Sequence, residues 1–169
     1  MRILFLDFDG VLNSHAWWNR RGRRMTQTID QWEFDPRAIA LLNEVVAGDV
    51  RVVVSSSWRL GKTVPELQQL LSSVGFAGDV LDKTIDWFGT EPIGAGLLYA
   101  YTPRSAEIAH WLDEHADVET YAIVDDDAEA GDGHRGHFVE TKIAHGLTER
   151  VADELRAILF PAIGTEARR

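Results

Sequence analysis

Apolar residues along this chain come in short dense runs that break off into polar clusters. Ile3-Leu4-Phe5-Leu6 ends in Asp7-Phe8-Asp9-Gly10. Val50-Arg51-Val52-Val53-Val54 ends in Ser55-Ser56-Ser57-Trp58-Arg59. Thr120-Tyr121-Ala122-Ile123-Val124 ends in Asp125-Asp126-Asp127. Runs of this length, bounded by turn residues, predict strands buried on both faces, as in a parallel sheet. Between them the period changes to that of a helix. Asp35-Pro36 supplies an N-cap and a first-turn proline, Ile39, Leu42 and Val46 form the apolar face, and Gly48 closes the helix. Thr63 and Pro65 open a second helix with Leu67, Leu70 and Leu71 inward, running to Val74. A third, from Arg104 to His115, presents Ile108, Trp111 and Leu112. Thr148 caps a last one carrying Val151, Leu155, Ile158 and Leu159. A short third strand is expected within 76–81 and a short fifth at His137-Phe138-Val139. Strands alternating with helices predict a doubly wound α/β fold with a parallel sheet of about five strands.

Two stretches break the pattern. Residues 13–34 are polar and aromatic without clean periodicity, and long for a connection. They are expected to form a flap-like insertion over the carboxyl end of the first strand, with a small hairpin as one form it could take. Residues 82–103 read as irregular and rich in Gly and Pro. Neither is long enough for a second domain. At 169 residues the chain is expected to be one domain, 1–169, with a sizeable core.

Charge narrows the partners. The formal net charge of −10 disfavours broad electrostatic binding to nucleic acid or anionic membrane, and leaves room for a local basic site. There is no cysteine, so disulfides and thiolate metal sites are excluded. No apolar run approaches the roughly 20 residues of a membrane span. The start lacks the pattern of a signal peptide, so a soluble, cytoplasmic protein is expected.

The three polar strand ends carry the candidate chemistry. In a parallel α/β sheet they meet at one edge, where such sheets bind ligands. Alternation puts Asp7 and Asp9 on one side of the extended chain, with Phe8 opposite. Gly10 allows a sharp turn and a close approach to a ligand. Carboxylates crowded together repel unless a cation joins them. An all-oxygen donor set without matching His or Cys suits Mg²⁺, which takes few carboxylates plus substrate phosphate. Hydroxyls, backbone N–H groups and an Arg suit phosphate oxygens. An Asp in such a site can act as a nucleophile, and a second can pass the proton.

These residues resemble the four motifs of haloacid dehalogenase (HAD) superfamily phosphatases. They are Asp7-Phe8-Asp9-Gly10-Val11, a Ser closing strand two, a basic residue before strand four, and Asp125-Asp126. A narrower likeness is to the small HAD domains associated with Swiss Army Knife RNA repair proteins. It is carried by Ser-Ser-Trp-Arg at 56–59, Arg104 with Glu107-Ile108 and Trp111-Leu112, Asp125-Asp126-Asp127, and Gly146-Leu147-Thr148. The phosphatase domains of polynucleotide kinase-phosphatases are a more distant likeness.

The resemblance implies an HAD-like Rossmannoid fold, here without a substantial cap domain, and Mg²⁺-dependent hydrolysis of a phosphomonoester through an aspartyl-phosphate. It implies that Asp7 is nucleophile and metal ligand. Asp9 would be acid/base and bind the metal through its carbonyl. Asp126 would be the acidic ligand, with Asp125 beside it. Ser56 would be the phosphate-binding hydroxyl, with Ser55 the other register, and Gly10, Ser57 and Arg59 would add contacts near the phosphate. The family's usual third-motif residue is Lys. Here Arg104 is the best match and Lys83 the alternative. An open site, with the RNA-repair likeness, implies a nucleotide or a nucleic-acid end as substrate. A small-metabolite phosphatase and a non-catalytic phosphate-binding module are the rivals.

Other residues carry weaker signals. Arg20, Arg21, Arg23 and Arg24 with Trp17 and Trp18 could track a nucleic-acid strand, cations on phosphates and indoles on bases. They equally suit a solvated loop with its tryptophans packed on the domain. Trp87 and Phe88 read as packing. His134 and His137 read as surface residues flanking a turn, and Asp127 and Asp132 as solvated turn acids.

Overall fold

The computed structural model describes residues 1–21, 34–85 and 102–161. Its centre is β1 (Arg2–Leu6). On one side lie β2 (Val50–Val54) and then β3 (Asp79–Lys83). On the other lie β4 (Thr120–Asp125) and then β5 (Phe138–Glu140). Every neighbouring pair is parallel. Leu6 pairs with Val54 and with Val124, so the residues after them reach the same edge together. The register slips once, between β2 and β3 at Val52/Val53.

Helices cover both faces, as the strand–helix alternation predicts. Strand side chains Leu4, Leu6, Val52, Val54, Ala122 and Val124 face one layer. That layer is built by α2 (Pro36–Val45), α3 (Val64–Ser73) and α5 (Glu149–Leu159). Ile3, Phe5, Val53 and Ile123 face the other way, against Ile108 and Trp111 of α4 (Arg104–Asp113). Strand residues on both faces are fully buried, which is why the runs read as continuous rather than alternating.

The helix starts follow from local chemistry. Asp35 accepts from the Arg37 amide at 3.0 Å, with Pro36 next. Thr63 and Glu66 form a reciprocal capping box. Thr148 accepts from the Val151 amide. By contrast α4 has Pro103 at its N-cap and no side-chain cap.

Several expectations need correction. The described part of the 13–34 insertion is helical, not a hairpin: α1 spans His15–Arg21. Ser14 Oγ accepts from the Trp17 amide, and the His15 and Ala16 amides bond the Ile143 and Ala144 carbonyls, which seats a helical turn there. Flap residues 22–33 lie outside the described residues, as do Trp87 and Phe88. The third strand runs to Lys83, so Asp82 and Lys83 belong to the sheet and not to an irregular stretch. Its two final residues still pair with Val53 and Val54 beyond the slip in register. His134 is buried, not a surface residue. A ring nitrogen faces the Tyr121 hydroxyl at 3.0 Å and the other faces the Ser105 carbonyl at 3.0 Å. His137 is half-buried and stacks on Tyr121 at 4.1 Å. Asp127 and Asp132 are exposed, and Asp127 caps a short 3₁₀ turn. No helix among the described residues is long and apolar enough to cross a membrane.

Candidate active site

β1 ends at Leu6, and Asp7 follows with its amide bonded to the Val124 carbonyl at 3.1 Å. Asp7 is 5% exposed. Burial raises the pKa of its carboxyl, against the lowering influence of Arg104, of the Ser56 hydroxyl and of the Phe8 amide. Asp125 closes β4 beside it and is also buried. Burial and then the charge of Asp7 push the Asp125 carboxyl up to about 7. Its Oδ1 accepts from the Asp127 amide at 2.9 Å. Asp126 comes next and is half-buried, with its pKa raised chiefly by burial and further by Asp127 and Asp9. Carboxylate oxygens of Asp7, Asp125 and Asp126 all lie within 4.8 Å of one another.

Arg104, the first residue of α4, bridges this cluster. Its Nη1 is 2.8 Å from Asp7 Oδ1 and 2.8 Å from Asp125 Oδ2. Burial works against its charge, but the two carboxylates outweigh that and hold it firmly protonated. Lys83, the alternative basic residue, stands at the end of β3, two strands from β1. Its Nζ donates to the Arg59 carbonyl at 3.2 Å.

Asp9 lies in the turn, past the end of β1, so strand alternation does not govern it. Its carboxylate is held from two sides: Asn13 Nδ2 donates to Oδ1 at 2.9 Å and Trp58 Nε1 to Oδ2 at 2.9 Å. Asn13 Oδ1 accepts from the Gly10 amide in turn. Gly10 has φ 69°, and a Cβ there would sit 2.3 Å from Asp126 Cγ. A side chain at position 10 would therefore collide with a cluster carboxylate. Thr141 locks the turn from the far side, its hydroxyl donating to the Gly10 carbonyl at 2.9 Å.

The serines divide. Ser56 is fully buried and its hydroxyl bonds Asp7. Ser55 is buried too, and its Oγ has no hydrogen-bond partner among the described residues. Ser57 is exposed. The Arg59 guanidinium is buried on Glu107 and on the Ser56, Thr84 and Ile85 carbonyls. Of the flap arginines, Arg20 pairs with Asp35 at 2.7 Å. The side chains of the other three lie outside the described residues.

Sequence reasoning assigned no role to Asn13 or Thr141, and none beyond likeness to Trp58 and Glu107. Asn13 left a trace, since an amide four residues past Asp9 can reach back over a tight turn. Thr141 left none.

A trio of carboxylates, two buried and one half-buried, with raised pKa values and one arginine retains excess negative charge when ionised. With only oxygen donors, the set fits a hard divalent cation such as Mg²⁺.

The parallel five-stranded sheet and the acidic cluster at its carboxyl edge define an HAD-type α/β domain. Residues 3–152 match the family described as the HAD domain in Swiss Army Knife RNA repair proteins, and the chain belongs to that family. No curated protein and no solved structure matches it.

Proposed function

We propose that the chain is a Mg²⁺-dependent phosphomonoester hydrolase working through phospho-Asp7, with phosphorylated nucleic-acid ends or nucleotides as substrates. The observation that carries this is the convergence of Asp7, Asp125 and Asp126 with Arg104 laid across two of them. Asp7, Asp125 and Asp126 would hold the ion, with the Asp9 carbonyl as a further ligand. When bound, Mg²⁺ neutralises their mutual repulsion and the phosphate charge.

The protein's residues supply the rest. Asp7 attacks phosphorus as the bond to the ester oxygen breaks. Asp9, as the general acid, gives a proton to the leaving oxygen. Water then attacks the phospho-aspartate, Asp9 takes the water's proton, and phosphate leaves as Asp7 is regenerated. Two donors fix the Asp9 carboxylate, so little reorganisation is needed at either step. Arg104 offers its guanidinium to the phosphoryl oxygens, and the Ser56 hydroxyl, with Ser55 the other candidate, donates to one of them. A retained acid/base residue favours turnover over mere binding.

The nucleic-acid element of the reading is supported by the family's RNA-repair setting. The test is phosphate release, with Mg²⁺ or with EDTA, from a small aryl phosphate, sugar phosphates, nucleotides and phosphorylated oligonucleotides. Release that needs Mg²⁺, vanishes in Asp7→Asn and favours oligonucleotides is expected. Preference for a sugar phosphate would move the substrate to small metabolites. Hydrolysis unaffected by EDTA would remove the metal from the scheme.

A further inference from the structure

Arg104 must hover over two carboxylates, yet the helix that delivers it begins without a side-chain cap. What holds that helix start is tertiary. Glu107 lies one turn after Arg104, so the two share a helix face. Its Oε2 accepts from Arg59 Nη2 at 2.6 Å. The pair is buried, with the side chains 6% and 9% exposed. Arg59 also donates from Nη1 to the Ser56 carbonyl at 2.9 Å, from Nε to Thr84 O at 3.1 Å and from Nη2 to Ile85 O at 3.2 Å. Thr84 Oγ1 stands 3.4 Å from Glu107 Oε2. One guanidinium thus ties three pieces together: the turn carrying Ser56, the end of β3, and the first turn of α4.

A buried ion pair gives little net stability over an apolar pair of the same volume. It does fix geometry, because a planar fork engages its acceptors in one orientation. From this network we infer that Arg59 and Glu107 are positioning residues. They couple the turn bearing the Ser56 hydroxyl to the helix start bearing Arg104, so that hydroxyl and clamp hold one spacing above Asp7. The inference rests on the proposed role of Arg104 as phosphoryl clamp. Its structural half, that Glu107 immobilises Arg104, is independent of any activity.

The same helix carries a control. Trp111 Nε1 donates to Asp82 Oδ2 at 2.8 Å, tying α4 to β3 about two turns beyond Arg104. Asp82→Asn loosens the helix without touching its start.

Glu107→Gln keeps shape and acceptor while removing the charge. In the folded variant kcat on an aryl phosphate is expected to fall about tenfold or more, with KM changed less than twofold. Asp82→Asn should leave kcat within twofold. In an Arg104→Ala background, Glu107→Gln should cost less than twofold, because it acts through Arg104. Rotation and solvent exchange of the ¹⁵N-labelled Arg104 guanidinium, measured by NMR in the metal-free protein, should quicken in Glu107→Gln and not in Asp82→Asn. If Glu107→Gln fails to fold, Arg59→Lys takes its place. It keeps the charge facing Glu107 but lacks the fork, and the same loss of kcat is expected.

The inference is overturned by a folded variant with normal kcat and an immobile Arg104. An equal loss with and without Arg104, or an equal loss in Asp82→Asn, also overturns it. If the wild type hydrolyses no phosphate, the proposed function fails while the NMR comparison still decides whether Glu107 holds Arg104.

Discussion

At the scale of single residues, the site depends on one position having no side chain. Gly10 turns the chain at φ 69°, and its missing Cβ leaves the space that Asp126 fills. Gly10→Ala adds left-handed strain of about 1 kcal/mol and a clash with that carboxylate. The clash should displace Asp126, so apparent Mg²⁺ affinity should drop at least tenfold while the protein stays folded. Unchanged affinity, measured by calorimetry, would mean that Asp126 is no ligand. Asp126 and Asp127 give a paired contrast. Asp126 belongs to the carboxylate cluster, whereas Asp127 is exposed and occupied as the cap of a 3₁₀ turn. Asp126→Ala should weaken Mg²⁺ binding clearly more than Asp127→Ala, and equal effects would place the ligand one residue further on.

At the scale of elements, two basic side chains compete for one role and arrive on different elements. Arg104 comes on α4 and contacts Asp7 and Asp125 directly, while Lys83 closes β3 and bonds the Arg59 carbonyl. Arg104→Ala is therefore expected to lower kcat by a hundredfold or so, since a lost charge stabiliser in a water-poor site costs about that much. Lys83→Ala should change it less than fivefold. The reverse order would give Lys83 the clamp. The same elements explain what the sequence reveals. Three strand ends are legible because a buried parallel strand is a continuous apolar run, and a run that stops in Asp or Ser marks the ligand edge. Helix starts at Pro36, Val64 and Glu149 are legible because their caps are local. The pairing of Arg59 with Glu107 is not, since its partners lie 48 residues apart and meet only when α4 docks. Nor is the burial of His134. Its flanks are turn residues without periodicity, and it is α4 that brings the Ser105 carbonyl to its ring. The helical form of α1 is hidden likewise, because its seat is the Ile143–Ala144 backbone far along the chain.

At the scale of the whole molecule, the fold stores a cost in its acidic edge. The chain carries a net charge of −10, and the sheet gathers several of its acids in a place where ionisation is penalised. Burial and the charge of Asp7 push the Asp125 carboxyl up to about 7 in the folded protein, and burial raises Asp7 as well. An unfolded chain ionises both near pH 4. Below that pH both states are protonated and the cluster has no effect on stability. Between pH 4 and 7 the unfolded chain releases the Asp125 proton that the fold still holds. Stability is therefore lost as pH rises, by up to about 1.4 kcal/mol per pH unit for each proton held. Above pH 7 the loss from Asp125 is complete. A bound cation reverses this, because it favours the ionised carboxylates and displaces the protons. The expected result is a metal-free protein whose melting temperature falls from pH 5 to pH 8, a fall that Mg²⁺ largely removes at pH 8 while doing little at pH 5. Asp125→Asn deletes the main titration and should flatten the metal-free profile, leaving its melting temperature at pH 8 at or above the wild-type value. A variant with the wild-type slope would show that the pH dependence arises elsewhere on the acidic surface. A Mg²⁺ effect equal at both pH values would show that the ion binds away from these carboxylates.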